Sequence, residues 1–79
     1  MDIALKLLDV VALLKDLPRH RLRRGQVGTV VELYKSGRYE VEFADPQGRT
    51  LALVTLPAGA LLRLSYERCA GHSRSKQVA

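Results

Sequence analysis

Seventy-nine residues, with thirteen Lys and Arg against eight Asp and Glu, make one small domain of net charge +5, too short for two lobes with a cleft between them. A single cysteine, Cys69, excludes an internal disulfide, and no apolar run approaches the ~18 residues that would span a bilayer. No opening stretch carries a basic region, an apolar core and a small-residue cleavage site in order, so the expected setting is cytoplasmic, with no membrane attachment.

Taken in chain order, Met1 to Leu17 reads two ways. Apolar residues at Ile3, Leu7, Val10, Leu14 and Leu17 would line one face of a helix. The run Asp9 to Leu14 is equally a short aliphatic strand buried on both faces. Pro18 stops either element, because it lacks an amide proton and holds Leu17 extended. Arg19 to Arg24 then forms a basic loop, RHRLRR, in which only Leu22 is expected to tuck inward.

The clearest pattern lies between Gln26 and Phe43. Gln26 to Leu33 is expected as one strand and Arg38 to Phe43 as the next, joined by a turn at Lys35-Ser36-Gly37. In the second strand Tyr39, Val41 and Phe43 alternate with Arg38, Glu40 and Glu42, the period of a sheet with one buried and one wet face. Gly25 and Gly28 bracket Gln26-Val27. The first suits a positive φ at the mouth of the strand, and the second a bulge or a close approach inside it.

Ala44 to Arg49 holds the Asp, Pro and Gly48 of a tight turn. Thr50 to Leu56 is apolar on both faces, as a central strand would be. A 3₁₀ turn over Pro57 to Leu62 should drop Leu61 or Leu62 into the core, and Arg63 to Tyr66 should close the sheet. The expected core is Val10, Ala12, Val27, Val30, Tyr39, Val41, Phe43, Leu53 and Leu61. The division is a folded domain over residues 1–66 and a flexible basic tail over 67–79, where Gly, Ser and charge replace apolar periodicity.

The segments LLDVVALLKDLP, LRRGQVGTVVE, GRYEVEFADPQGRT, LALVTL and LLRL together resemble a family of short bacterial proteins, the domain of unknown function 4926 family, over about Leu7 to Leu64. The most specific part is Arg24 to Glu32 followed by Tyr39 to Phe43. The resemblance implies an all-β, SH3-like barrel of about five strands, with Asp9 to Leu14 as its first strand and the glycine-bearing strand similar to the KOW motif of ribosome and transcription proteins. It supplies no catalytic residues. The KOW likeness covers only the strand with Gly28, without a basic residue after each turn, so RNA binding does not come with it.

For metal chemistry the candidates are His20, Cys69 and His72. Only the last two are neighbours, and a structural zinc would lack two ligands, so neither a metal nor any other cofactor is expected. Glu40 and Glu42 share a strand face, but the solvent side of a hairpin explains them without catalysis. Gly25-Gln26-Val27-Gly28 leads into a strand and so builds no phosphate-cradling helix start. The expectation is no enzyme activity. Arg19, Arg21, Arg23 and Arg24 are the candidate binding residues, and Gly25, Gly28, Gly37 and Gly48 the structural turn positions.

Two partner classes fit the arginines. A binding module for an acidic protein, in the manner of small proteins that neutralise a neighbouring-gene toxin, is expected first. Nucleic acid is the alternative, with Tyr34, Tyr39 or Tyr66 as a stacking surface. Open strand edges would also allow a homodimer.

Overall fold

The computed structural model describes residues 4–65, and these form an all-β domain. Five strands occur in the order β1 (Val10–Leu13), β2 (Val27–Leu33), β3 (Arg38–Ala44), β4 (Thr50–Pro57) and β5 (Leu61–Arg63), with 3₁₀ turns at Pro18–His20 and Ala58–Ala60. All pairings are antiparallel, and the spatial order is β4-β3-β2-β1-β5. No ladder joins β4 to β5, so the sheet has two edges and does not close into a barrel. The helical alternative for the chain before Pro18 is therefore set aside in favour of a strand. Ala4 to Asp9 precedes that strand and is tied to β2 by two backbone hydrogen bonds, Leu8 N–H to Val30 O at 2.7 Å and Val30 N–H to Asp9 O at 2.9 Å.

The inner face of the sheet is built from rows of side chains that run across the strands. Val11 on β1 pairs with Gly28 on β2, Gly28 with Phe43 on β3, and Phe43 with Ala52 on β4. The next row is Val30, Val41 and Val54, while Leu13 faces Leu61 across β1 and β5. These side chains, with Leu5, Leu22, Leu56 and Ala60, make one buried cluster. Phe43 is its largest member and is fully buried, a burial that contributes about 1.5–3 kcal/mol.

Phe43 fits because the residue beside it is glycine. A Cβ added to Gly28 would lie 2.8 Å from Phe43 Cδ1 and Cε1 and 2.8 Å from Val41 Cγ1, closer than carbon atoms approach. The close approach expected at Gly28 is thus made by an aromatic side chain. The irregularity in the β2–β3 register falls elsewhere, between Val30 and Glu32. Gly25, Gly37 and Gly48 do take the positive φ of turn residues, at 91°, 80° and 86°. In the last of these turns Asp45 Oδ1 accepts the N–H groups of Gln47 at 3.0 Å and Arg49 at 2.9 Å.

Several expected core positions are corrected. On β1 the buried residues are Val11 and Leu13, with Val10 and Ala12 half-buried, because an aliphatic run carries no parity of its own and the pairing with Gly28 and Leu61 sets it. Val27 is exposed, since Gly28 and Val30 take the inward positions on β2. Leu53 is 54% exposed while Val54 and Leu56 are buried. β4 is an edge strand with one wet face, which also lets it run on to Pro57. Tyr39 packs against the core from a half-buried position. The 3₁₀ turn delivers Leu61 to the core and leaves Leu62 exposed, and the last strand is Leu61–Arg63. Tyr66 and the expected tail lie outside the described residues.

Gly28→Val should destabilise the domain by about 3 kcal/mol or more in urea melts, because the branched side chain must displace the Phe43 ring or the strand. A loss under about 0.5 kcal/mol would contradict the packing described.

Candidate functional site: an arginine turn braced from both ends

Pro18 initiates a single 3₁₀ turn, for which its fixed φ and missing N–H are suited. His20 N–H donates to Leu17 O at 3.0 Å and Arg21 N–H to Pro18 O at 3.1 Å. Arg21 then adopts a left-handed conformation at φ 57°, which reverses the chain. The reversal brings Leu22 back against Leu17, and the two exchange backbone hydrogen bonds of 2.9 and 3.2 Å. Leu22 is 2% exposed and belongs to the central cluster, as its expected inward tuck requires.

The far side of the turn is held as firmly. Arg24 N–H donates to Asp16 Oδ1 at 2.8 Å, Arg23 N–H to Gln26 Oε1 at 3.0 Å, and Gly25 N–H to Leu13 O at 2.7 Å. The sequence reading missed Asp16 and Gln26 in these roles. In the sequence each is only a polar side chain beside a basic loop, and in the structure it accepts a backbone N–H that no strand pairs.

On this braced backbone Arg19, Arg21, Arg23 and Arg24 are all exposed. None of the four guanidinium groups has an ion-pair partner among the described residues, where the salt bridges are Arg49 with Asp45 at 2.8 Å and Arg63 with Asp9 at 3.7 Å. Open hollows flank the turn, one bordered by Leu17, Pro18, Arg19 and His20 and another by Asp16, Pro18, Arg21, Leu22 and Arg23. The four candidate arginines therefore share one turn. The four candidate glycines do not gather there: Gly25 and Gly28 lead into and along β2, while Gly37 and Gly48 sit in the two hairpin connections.

Glu32, Glu40 and Glu42 lie on the outer face of β2 and β3. Glu40 accepts hydrogen bonds from Thr55 Oγ1 at 2.6 Å and Tyr34 Oη at 3.3 Å, and Glu42 accepts one from Thr50 Oγ1. Glu32 stands directly across from Glu40. Desolvation, followed by the charge of Glu40 and its hydrogen bond, raises the Tyr34 hydroxyl above its ordinary pKa. Among the described residues no three His, Cys, Asp or Glu come together as metal ligands. His20 is exposed on the arginine turn, and Cys69 and His72 lie outside the described residues. No helix among the described residues is long and apolar enough to cross a membrane.

The family model described as Domain of unknown function (DUF4926) matches residues 7–63, which contain all five strands and the whole arginine turn. The chain belongs to the DUF4926 family. No curated protein and no solved structure matches it. The DUF4926 match ends at Arg63, the last residue of β5, so the family's shared region and the folded sheet end together.

Two outcomes test this geometry. Leu22→Ala should cost about 3 kcal/mol in chemical denaturation, since Leu22 anchors the turn in the core; a loss below about 1 kcal/mol would show the turn to be unanchored. The Tyr34 phenol, isolated as the difference between wild type and Tyr34→Phe in absorbance titration, should ionise above its usual pH, and Glu40→Gln should bring it down. Because the folded state holds that proton more tightly, its stabilising effect is complete below the unfolded tyrosine pKa and fades as pH rises through the folded value.

Proposed function

We propose that this DUF4926 chain is a non-catalytic binding module that presents Arg19, Arg21, Arg23 and Arg24 to an acidic surface on a partner protein. The observation that carries the reading is the set of four exposed guanidinium groups, without ion-pair partners among the described residues, on a turn whose backbone is hydrogen-bonded on both flanks. Holding the backbone still lowers the ordering cost of binding, and arginine's planar five-donor head suits carboxylates in pairs.

Arg21 adds weight. A non-glycine residue at φ 57° carries a backbone penalty of about 1 kcal/mol that glycine would largely avoid. Glycine would suit the reversal better if backbone geometry alone decided, although Leu8 takes a similar conformation at φ 70° elsewhere in the chain.

Phosphates would satisfy the same guanidinium groups, which makes nucleic acid the second reading. Stacking favours the protein partner. Tyr34 is tied to Glu40 beyond the end of β2, and Tyr39 is half-buried against the core, so neither described tyrosine flanks the arginine turn.

The test is capture from a lysate of the native host on immobilised wild-type chain and on a variant with all four arginines replaced by alanine. Wild type should retain an acidic protein that the variant loses at least tenfold; equal retention would overturn the proposal. Filter binding to mixed RNA and duplex DNA separates the second reading, for which affinity should fall by about 0.9 log units per log unit of salt for each duplex phosphate contacted. Arg21→Gly should keep stability within about 1 kcal/mol of wild type while weakening partner binding, which divides the side chain's role in recognition from any role in the fold.

A further inference from the structure

The two edges of the sheet differ in a way that singles out β4. β5 is three residues long and ends in a charged residue, Arg63, the short, charged form by which proteins protect an edge. β4 is eight residues long, Thr50–Pro57, and contains no charged residue. No backbone hydrogen bond to its outer side is formed by any described residue. Its wet face carries Leu51 and Leu53, 53% and 54% exposed. Only the proline at its end limits pairing.

We infer that β4 is the self-association surface of this protein, pairing antiparallel with β4 of a second copy about a two-fold axis through Leu53. In that register Leu53 meets its own counterpart, Ala52 meets Val54, and Leu51 meets Thr55, each in both directions, with the pairing ending at the irregularity beside Thr50. Residues that face each other lie on the same side of the joined sheet, as antiparallel pairing requires, and no like charges oppose one another within the strand. Leu51 and Leu53 of both copies then form one apolar strip across the seam.

The absence of charge on β4 is what selects a second copy. An acidic or basic segment laid along this edge would find no opposite charge on the strand itself, whereas an identical uncharged strand meets an equal partner. The pairing is isologous and uses up the long edge of each copy, so it closes at two. Arg19, Arg21, Arg23 and Arg24 lie on the connection between β1 and β2, away from β4 in the strand order. The dimer therefore carries two arginine turns, and its existence is independent of what those turns bind.

Analytical ultracentrifugation of the full-length chain over micromolar to millimolar concentration tests this. Wild type should sediment in a reversible monomer–dimer equilibrium. Leu53→Lys, which sets two ammonium groups against each other at the axis while facing Glu42 within its own sheet, should weaken the dimer by about a hundredfold with an unchanged far-ultraviolet dichroism spectrum. Leu62→Lys, at an exposed apolar position on β5, should leave the dimer intact. A monomer throughout the range, a Leu53→Lys dimer as tight as wild type, loss of the dimer in Leu62→Lys, or open-ended assembly beyond two copies would each overturn the inference.

Discussion

The contact on which the rest of this structure depends is the one between Phe43 and Gly28. In a small open sheet the inner face must supply a core, and here one ring occupies the row between a glycine on β2 and an alanine on β4. Any side chain at position 28 would need the space within 2.8 Å that the ring already fills. Because Gly28 also pairs with Val11, its close approach fixes β1 and β3 together on either side of β2. That pairing sets which residues of β1 face inward, and through Leu13 opposite Leu61 it places β5 as well.

The same core holds the arginine turn. Leu22 reaches into the cluster that contains Phe43, so the turn is anchored at its middle as well as by backbone hydrogen bonds on both flanks. A loop held in this way can present four like charges that mutual repulsion would otherwise disperse. Its anchoring sets it apart from a solvated charge run, in which side chains and backbone move together. Glu40 and Glu42 lie on another surface, each bound by a threonine hydroxyl of β4, and among the described residues Asp16 is the one carboxylate that braces the turn, so the four arginines leave it with a net positive field.

Much of this is legible in the sequence. The alternation of Tyr39, Val41 and Phe43 places β3 and its inward face, and the turns at Gly25, Gly37 and Gly48 are correctly marked by residue type. The single apolar residue of RHRLRR has to be the one that turns inward, and Leu22 is. What cannot be read is parity in strands that are apolar throughout. Val10 to Leu13 offers no polar residue to mark the wet face, and the true assignment comes from its neighbours on β2 and β5. Thr50 to Leu56 looks central for the same reason, yet it lies at an edge with Leu51 and Leu53 in solvent. Edge position is a property of topology, and an uncharged strand carries no local sign of it. At the arginine turn the charges are visible, but the braces at Asp16 and Gln26 are not, because each acts through a backbone N–H that a sequence does not display.

The most direct measurement is a nuclear Overhauser spectrum of the folded protein with the Phe43 ring and Gly28 assigned. Strong cross-peaks are expected from one Gly28 Hα to the Hδ and Hε protons of Phe43, and weaker ones from that ring to the methyl groups of Val41. A Phe43 ring whose cross-peaks lead to other residues, with none to Gly28, would contradict the packing that arranges the five strands.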